Sequence, residues 1–288
     1  MDLMDVSILI VNYNTCDLLK NCLASILLHT SGVSYDIVVI DNASTDGSIK
    51  MIENHFPSVR LVKNNTNIGF GRANNIGIQS TESKYVFLLN SDTVLLNNAI
   101  KFFFDFMEAD EHSNVASCGG ALFLSHEARG VSSGHFPSVS EMFFETFFLD
   151  KIIPDFYHKR FAVESIRCSE VPYKVGYVSG ADMFIRRSAL MECGGFDEDF
   201  FMYFEETELS YRFALHGYSA AIVPDARIIH FCGKSNDSSG TRPKRFASSR
   251  ILYFKKCHGS TVAMTVRVLM AVGRVRDALR LLRRWSRG

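Results

Sequence analysis

VFLLNSDTVLL, residues 86–96, sets two apolar runs around three polar residues, Asn90, Ser91 and Asp92. YVFLL, residues 85–89, has the aromatic and aliphatic composition of a short buried strand. The polar trio then opens a loop at its carboxyl end. Taken alone, Asp92 is an ordinary turn former. Upstream the layout repeats. VSILIV, residues 6–11, leads through the polar NYN into a segment where Leu18, Leu19, Cys22, Leu23 and Ile26 recur at helical spacing. IVVI, residues 37–40, ends in DNASTDGS, where Ser44 or Thr45 can cap a helix beginning near Ser48. Residues 59–62 read as a third strand and GRANNIGIQS, residues 71–80, as a short helix. Apolar runs alternating with helices predict an α/β fold, a Rossmann-like, mostly parallel central sheet flanked by helices. In such sheets ligands bind outside the carboxyl ends of the strands, where NYN, DNASTD, NNTNIG and NSD all fall.

The 288 residues, 47% of them apolar, suffice for one large α/β domain with a small appendage. A formal net charge of zero hides an asymmetry. Residues 242–288 hold thirteen Lys or Arg and one acid, Asp277, which leaves residues 1–241 acidic. The chain is therefore divided into a domain at 1–241, with a nucleotide-binding half at about 1–120 and an acceptor half at about 121–241, and a basic helical tail at 242–288. The seven cysteines form no C-x-x-C pair, MDLMD lacks the basic region of a signal peptide, and no apolar run reaches the length of a spanning helix. The cytoplasm is the expected compartment. The Phe-rich FPSVSEMFFETFFLDKIIPDFY, residues 136–157, reads as an amphipathic helix or a lid. GFGRAN departs from G-x-G-x-x-G at Asn74 and follows no strand, and no P-loop, zinc-ligand spacing or nucleophile elbow appears.

Strand ends rich in Asn and Asp along one sheet edge make a polar cleft that suits a nucleotide. A magnesium or manganese ion there would be held by one or two carboxylates and by substrate phosphates. At this point the sequence resembles the family 2 glycosyltransferases of the GT-A fold, in particular their rhamnosyltransferase-like branch. The resemblance rests on SILIVNYN, VVIDNASTDGS, NNTNIGFGRANNIGI, FLLNSDTVL, VSGADMFIRRSAL and GGFDEDFFMYFEETELSYRFALHGY, in that order.

That resemblance implies a role for each matching residue. Asp41 corresponds to the carboxylate that contacts the base or ribose, with Tyr13 lining the base pocket; its plain alternative is an Asx turn. Asn67, Gly69 and Asn74 fall in the donor-binding loop, where turn chemistry is the alternative. NSD stands where the family carries its Asp-x-Asp metal motif, Asp92 being the matching carboxylate and Asn90 replacing the first. His230 in IIHFCGKS matches a histidine near the metal and diphosphate, although a His after an apolar pair is also a common core residue. Gly180 lets backbone approach donor or acceptor. The acceptor hydroxyl must lose a proton as it attacks, so a carboxylate is needed opposite the leaving group. Glu206, where relatives often have Asp, matches that base, with Glu205 as second choice. The plain alternative is a helix with acids in its first turn and Glu208–Arg212 as an i,i+4 pair. Inversion at the anomeric carbon is likewise implied by the family.

In the tail, Val266, Leu269, Met270, Val275, Leu279 and Leu282 share one helical face, and a basic amphipathic helix with Trp285 fits a membrane surface. Packing on the domain is the alternative; interleaved aromatics for nucleic acid are missing. The reading is thus an inverting, metal-assisted hexosyltransferase, peripheral on the inner face of the cell membrane, in polysaccharide or lipopolysaccharide biosynthesis. Its donor is a nucleotide sugar, dTDP-rhamnose ahead of UDP- or GDP-sugars, and its acceptor a glycan or lipid-linked hydroxyl. Two rivals stand beside it. A sugar nucleotidyltransferase should carry a glycine-rich basic loop where this chain has NYNTCD. A non-catalytic nucleotide-sugar binding protein would bind donor without Glu206.

Overall fold

The structure, a computed structural model, describes residues 3–125, 128–161, 169–231 and 241–285. The first half alternates strand and helix: β1 (Met4–Asn12), α1 (Cys16–His29), β2 (Tyr35–Asp41), α2 (Ser48–His55), β3 (Arg60–Lys63), α3 (Phe70–Gln79) and β4 (Ser83–Leu89). β3, β2, β1 and β4 lie side by side and parallel. Period-two alternation sends Ile8 and Ile10 of β1 to one face and Leu9 to the other. The first face packs on α1 through Leu19, Cys22, Leu23 and Ile26, the positions whose spacing predicts that helix. The second packs on α3 through Ala73. Both faces of the parallel strands are covered, which is why they read as unbroken apolar runs.

The NSD loop leads to β5 (Thr93–Leu95), α4 (Ala99–Glu108) and β6 (Val115–Phe123). The middle of the chain forms β7 (Ser133–Gly134), α5 (Val139–Thr146), α6 (Leu149–Ile152) and α7 (Pro154–Phe161), so the Phe-rich stretch is three short helices instead of one. Then follow β8 (Tyr173–Val175), β9 (Tyr177–Val178), β10 (Asp182–Arg186), α8 (Arg187–Cys193), α9 (Glu205–Leu215) and β11 (Ser219–His230). β10 enters the sheet antiparallel between β4 and β6, with Phe184 opposite Phe87, and β11 runs parallel to β6. The result is a mixed α/β fold on a mostly parallel central sheet. Phe87, Phe103 and Phe184 pack as a fully buried aromatic trio beneath the NSD strand end.

The basic tail is a helical hairpin, α10 (Arg242–His258) and α11 (Ser260–Trp285), turned at Gly259. Its inner side joins the body: Tyr253, Phe254, Ala263, Val266 and Leu269 bury against Met142, Phe200 and Phe204. Arg276 donates to the carbonyls of Glu145 and Thr146, and its guanidinium sits over Phe148. The face expected to be apolar is therefore divided. Val266 and Leu269 are buried and Met270 is packed beside them, whereas Val275 is exposed on the opposite side. Met264, Val268 and Val272 join Val275 there at i, i+4, i+8 and i+11. No helix among the described residues is long and apolar enough to cross a membrane.

Candidate active site

The strand ends are held by a closed polar network. At the ends of paired strands, Asn12 Nδ2 donates to Asp41 Oδ1 at 2.8 Å and to Ser44 Oγ at 2.9 Å. Asp41 Oδ2 accepts from Ser44 N, closing the Asx turn that sequence chemistry allows. Asp41 is fully buried with both oxygens engaged, and it shapes the loop. Ser44 is not the cap of α2. Its hydroxyl accepts from Asn14 N, while Asp46 Oδ1 accepts from Ser48 N at 3.1 Å and Oδ2 from Cys16 N at 2.7 Å. Asp46 thereby ties two helix starts together, and these hydrogen bonds outweigh its desolvation to leave its carboxyl below the usual value. Thr15 links the network to the NSD loop through its contacts with Asn12 and Ser91. Tyr13 stands exposed at the loop's tip.

The donor-loop residues are packed tightly. Asn67 Oδ1 accepts from Gly69 N, and Asn42 Nδ2 donates to Gly69 O. Gly69 has φ +89°, and a Cβ there would meet Phe201 O at 2.4 Å, so both conformation and space demand glycine. Asn74 is buried; its amide nitrogen donates to Phe70 O and its Oδ1 has no hydrogen-bond partner among the described residues. It lies in the packing of α3 and not at an open surface.

Asn90 and Asp92 meet His230 at the end of β11. Asp92 Oδ1 is 3.2 Å from His230 Nε2, and Asn90 Nδ2 is 3.5 Å from the same nitrogen. β5 pairs with β11 so that Thr93 faces His230, which carries a histidine 138 positions beyond Asp92 back to the NSD loop. Nothing local to IIHFCGKS reveals that pairing.

The two glutamates part company. Tyr203 and Phe204 both have left-handed φ, 72° and 70°, which is costly for residues with side chains and bends the chain sharply into α9. Phe204 buries in the cluster with Tyr253, so packing supports the bend. Glu205 then points inward, buried, with Oε2 unpaired among the described residues. Glu206 instead lines a cavity of about 1290 Å³ that His230, Tyr177, Ser179 and Tyr203 also line. Desolvation raises the carboxyls of both; for Glu205 the neighbouring Glu206 charge adds to it, and for Glu206 backbone and Thr207 hydroxyl hydrogen bonds oppose it. Gly180 leaves room beside Glu206, since a Cβ there would sit 3.7 Å from Glu206 Cβ. Glu208 forms the predicted pair with Arg212, two-pronged at 2.7 and 2.9 Å.

The far wall of the cavity escapes the sequence reading. Arg242, Lys244, Arg250 and Arg274, from α10 and α11, line the same space as Glu206. Their charge is plain in the sequence; their address is not.

Comparison with known proteins fits this geometry. The family model described as Glycosyl transferase family 2 matches residues 7–194. Over 237 residues the chain is 27% identical to the N-acetylglucosaminyl-diphospho-decaprenol L-rhamnosyltransferase of Mycobacterium tuberculosis, covering 76% of this chain and 74% of that protein. It is 26% identical over 243 residues to the rhamnosyltransferase WbbL of Escherichia coli, covering 81% and 86%. The mannosyltransferase PcManGT from Pyrobaculum calidifontis, solved with GDP-Man and Mn2+, superposes with a TM-score of 0.58 at 15% identity, over 99% of this chain and 80% of that one. Such neighbours share the GT-A fold. From its sequence over residues 7–194 and from its fold, the chain belongs to glycosyl transferase family 2 and is a glycosyltransferase.

Proposed function

We propose that this glycosyltransferase moves a sugar, rhamnose first among the candidates, from a nucleotide-sugar donor such as dTDP-rhamnose to a hydroxyl of a glycan or lipid-linked acceptor, with inversion. The observation that carries the reading is that Glu206, from the start of α9, and His230, paired with Asp92 at a strand end, line one cavity. A base and a diphosphate-binding pair on one space are the two halves of a displacement. Glu206 takes the proton of the attacking hydroxyl, and its raised affinity for protons favours that transfer. Glu205, enclosed beneath it, is the weaker candidate. Tyr13 offers an exposed ring for the base, and Asp41, Asn67 and Gly69 fix the loops that hold the donor. The rhamnosyltransferases among its relatives support the donor sugar, and the diphosphate-linked lipid in one relative's name supports the acceptor class.

The residues present fit a magnesium or manganese ion. Asp92 and His230 bring an oxygen and an imidazole nitrogen together, Asn90 adds an amide, and a donor's phosphates would complete the set. Among the described residues no group of three or more His, Cys, Asp or Glu could hold a metal unaided. When bound, the ion would stabilise charge on the departing diphosphate. The exposed stripe Met264, Val268, Val272 and Val275 on α11, with the exposed Phe143, Phe147 and Phe156, supports a peripheral position on the cytoplasmic face of the membrane.

Calorimetry with a panel of nucleoside diphosphates and nucleotide sugars, with and without manganese, tests the reading on wild type and Asp92→Ala. Metal-dependent binding of one nucleotide, weakened about tenfold or more in Asp92→Ala, is expected. Binding indifferent to both metal and Asp92 would refute the metal assignment, and binding without turnover in any acceptor extract would leave a nucleotide-sugar binding protein.

A further inference from the structure

We propose that the C-terminal hairpin grips the anionic group of a phosphate- or diphosphate-bearing acceptor through Arg242, Lys244, Arg250 and Arg274; the inference rests on the transfer reading above and assigns residues to its acceptor side. All four line the cavity that Glu206 and His230 also line. Tyr13, Asp41 and Asn67 do not line it, whereas His230, beside Asp92 of the NSD loop, does, so the cavity meets the strand ends at His230 and not at the loops after β1 and β2. Its volume of about 1290 Å³ exceeds what one sugar ring needs.

The charge of this wall is uncompensated within the described residues. Arg242, Lys244 and Arg274 are exposed, and no carboxylate among the described residues pairs with them. Arg250 is steered by aromatic rings, its guanidinium lying 5.1 Å from the Phe246 centroid and 5.9 Å from that of Phe204. Arg129 lines the cavity beside these four, and among the described residues the only acid on its lining is Glu206. Like charges gathered on one concave surface repel one another and focus a positive potential, and a bound anion relieves both effects. Neutral glycan hydroxyls would not need four cations. Phosphate oxygens would, since guanidinium forks bind them through paired charge-assisted hydrogen bonds. Leu124, Val131 and Met270, which line the same cavity, offer an apolar surface to the first carbons of a lipid chain. A lipid-linked diphosphate sugar satisfies all three regions at once: its hydroxyl at Glu206, its phosphates at the cations and its chain at the apolar strip.

The test uses the full-length chain and farnesyl diphosphate, with farnesol and phosphatidylglycerol vesicles as comparisons. Wild type is expected to bind farnesyl diphosphate at least about tenfold more tightly than farnesol, with affinity falling as salt rises. The triple variant Arg242→Gln, Lys244→Gln, Arg274→Gln should lose about tenfold or more in that affinity while nucleoside diphosphate binding stays within about twofold. The three side chains are exposed, and a thermal melt checks that the fold survives. Arg242→Lys with Arg274→Lys keeps the charge but loses the forks, and should bind more weakly than wild type and more tightly than the Gln variant. Equal affinity for farnesol and farnesyl diphosphate would overturn the proposal. So would a triple variant that binds as wild type, a Lys variant as weak as the Gln one, or losses confined to nucleotide or to vesicles, which would assign the wall to the donor or to the membrane. Diphosphate binding through these cations without turnover of any nucleotide sugar would leave the anion site standing and remove the transfer reading.

Discussion

The strand-end loops and the C-terminal hairpin face the same chemistry with opposite constructions. Around Asn12, Asp41, Ser44 and Asp46, polar groups satisfy one another within 2.7–3.1 Å, and the carboxylates serve the backbone before any ligand arrives. On α10 and α11, Arg242, Lys244 and Arg274 reach the cavity without a carboxylate paired to them among the described residues. The difference separates shape from affinity. A closed network fixes where a donor would lie, because buried polar groups that pair rigidly cost little and hold one geometry. An open row of cations contributes little to folding and keeps its electrostatic energy for an incoming anion.

Glu206 sits between these constructions, and its removal should have the largest effect. Glu206→Gln keeps shape and removes the base, so kcat should fall about a hundred- to ten-thousand-fold with donor binding nearly unchanged. A variant with more than a tenth of wild-type turnover would move the base elsewhere. The pH profile sharpens the assignment. A base works ionised, and burial raises the Glu206 carboxyl above its ordinary value of 4.5, so kcat/KM should fall on acidification while the pH is still above 4.5. A midpoint at or below that value would point to a solvated carboxylate.

Asp41→Ala tests whether the closed network is structural. It leaves Ser44 N, which is partly buried, without its acceptor and the buried Asn12 with one partner fewer. Each lost acceptor costs about 1–3 kcal/mol, so chemical denaturation should show a loss of about 2–4 kcal/mol. A loss under about 0.5 kcal/mol would place Asp41 with ordinary surface positions and break the contrast with the hairpin.

Much of the closed side is legible in sequence because it is local. Residues 6–11 and 37–40 announce β1 and β2 by composition, and each is followed within a few positions by its loop and helix. The Glu208–Arg212 pair is legible for the same reason. The start of α2 is not, since Ser44 and Thr45 both look competent to cap it, yet Asn14 from another loop engages both and Gly47 takes the N-cap position. The antiparallel entry of β10 depends on how the chain returns from its middle, which no periodicity in residues 182–186 records. The open side is the least legible. Arg242 and Arg274 look like the polar face of a basic helix until α10 and α11 fold back, bury Val266 and Leu269, and bring the cations to Glu206.

Gly69 joins the donor loop to the segment ahead of the glutamates, because Phe201 O accepts from Phe70 N at 2.9 Å. Gly69→Ala adds a Cβ 2.4 Å from that oxygen at a left-handed φ. It should destabilise by about 1–3 kcal/mol and lower kcat as well, since the shift propagates toward Tyr203 and Phe204. A loss of stability without any change in kcat would show that the two loops are independent.

Glu205 yields the smallest effect and the finest distinction, because it is an enclosed carboxyl lying next to one that lines the cavity. Its Oε2 has no partner among the described residues, and burial with the Glu206 charge raises its pKa well above the 4.5 of the unfolded chain. The native state then binds more protons than the unfolded state between 4.5 and the folded pKa. Its contribution to stability is full below about pH 4.5 and declines as pH rises through the folded value. Glu205→Gln cannot ionise, so its melting temperature should gain on wild type as pH rises, by about 2–4 °C per kcal/mol of relieved cost, with no gain at pH 4. A Gln variant that instead loses turnover as heavily as Glu206→Gln would make Glu205 the base. One that melts in parallel with wild type at every pH would show that Glu205 reaches solvent, and with it that the left-handed bend at Tyr203 and Phe204 does not sort the two carboxylates.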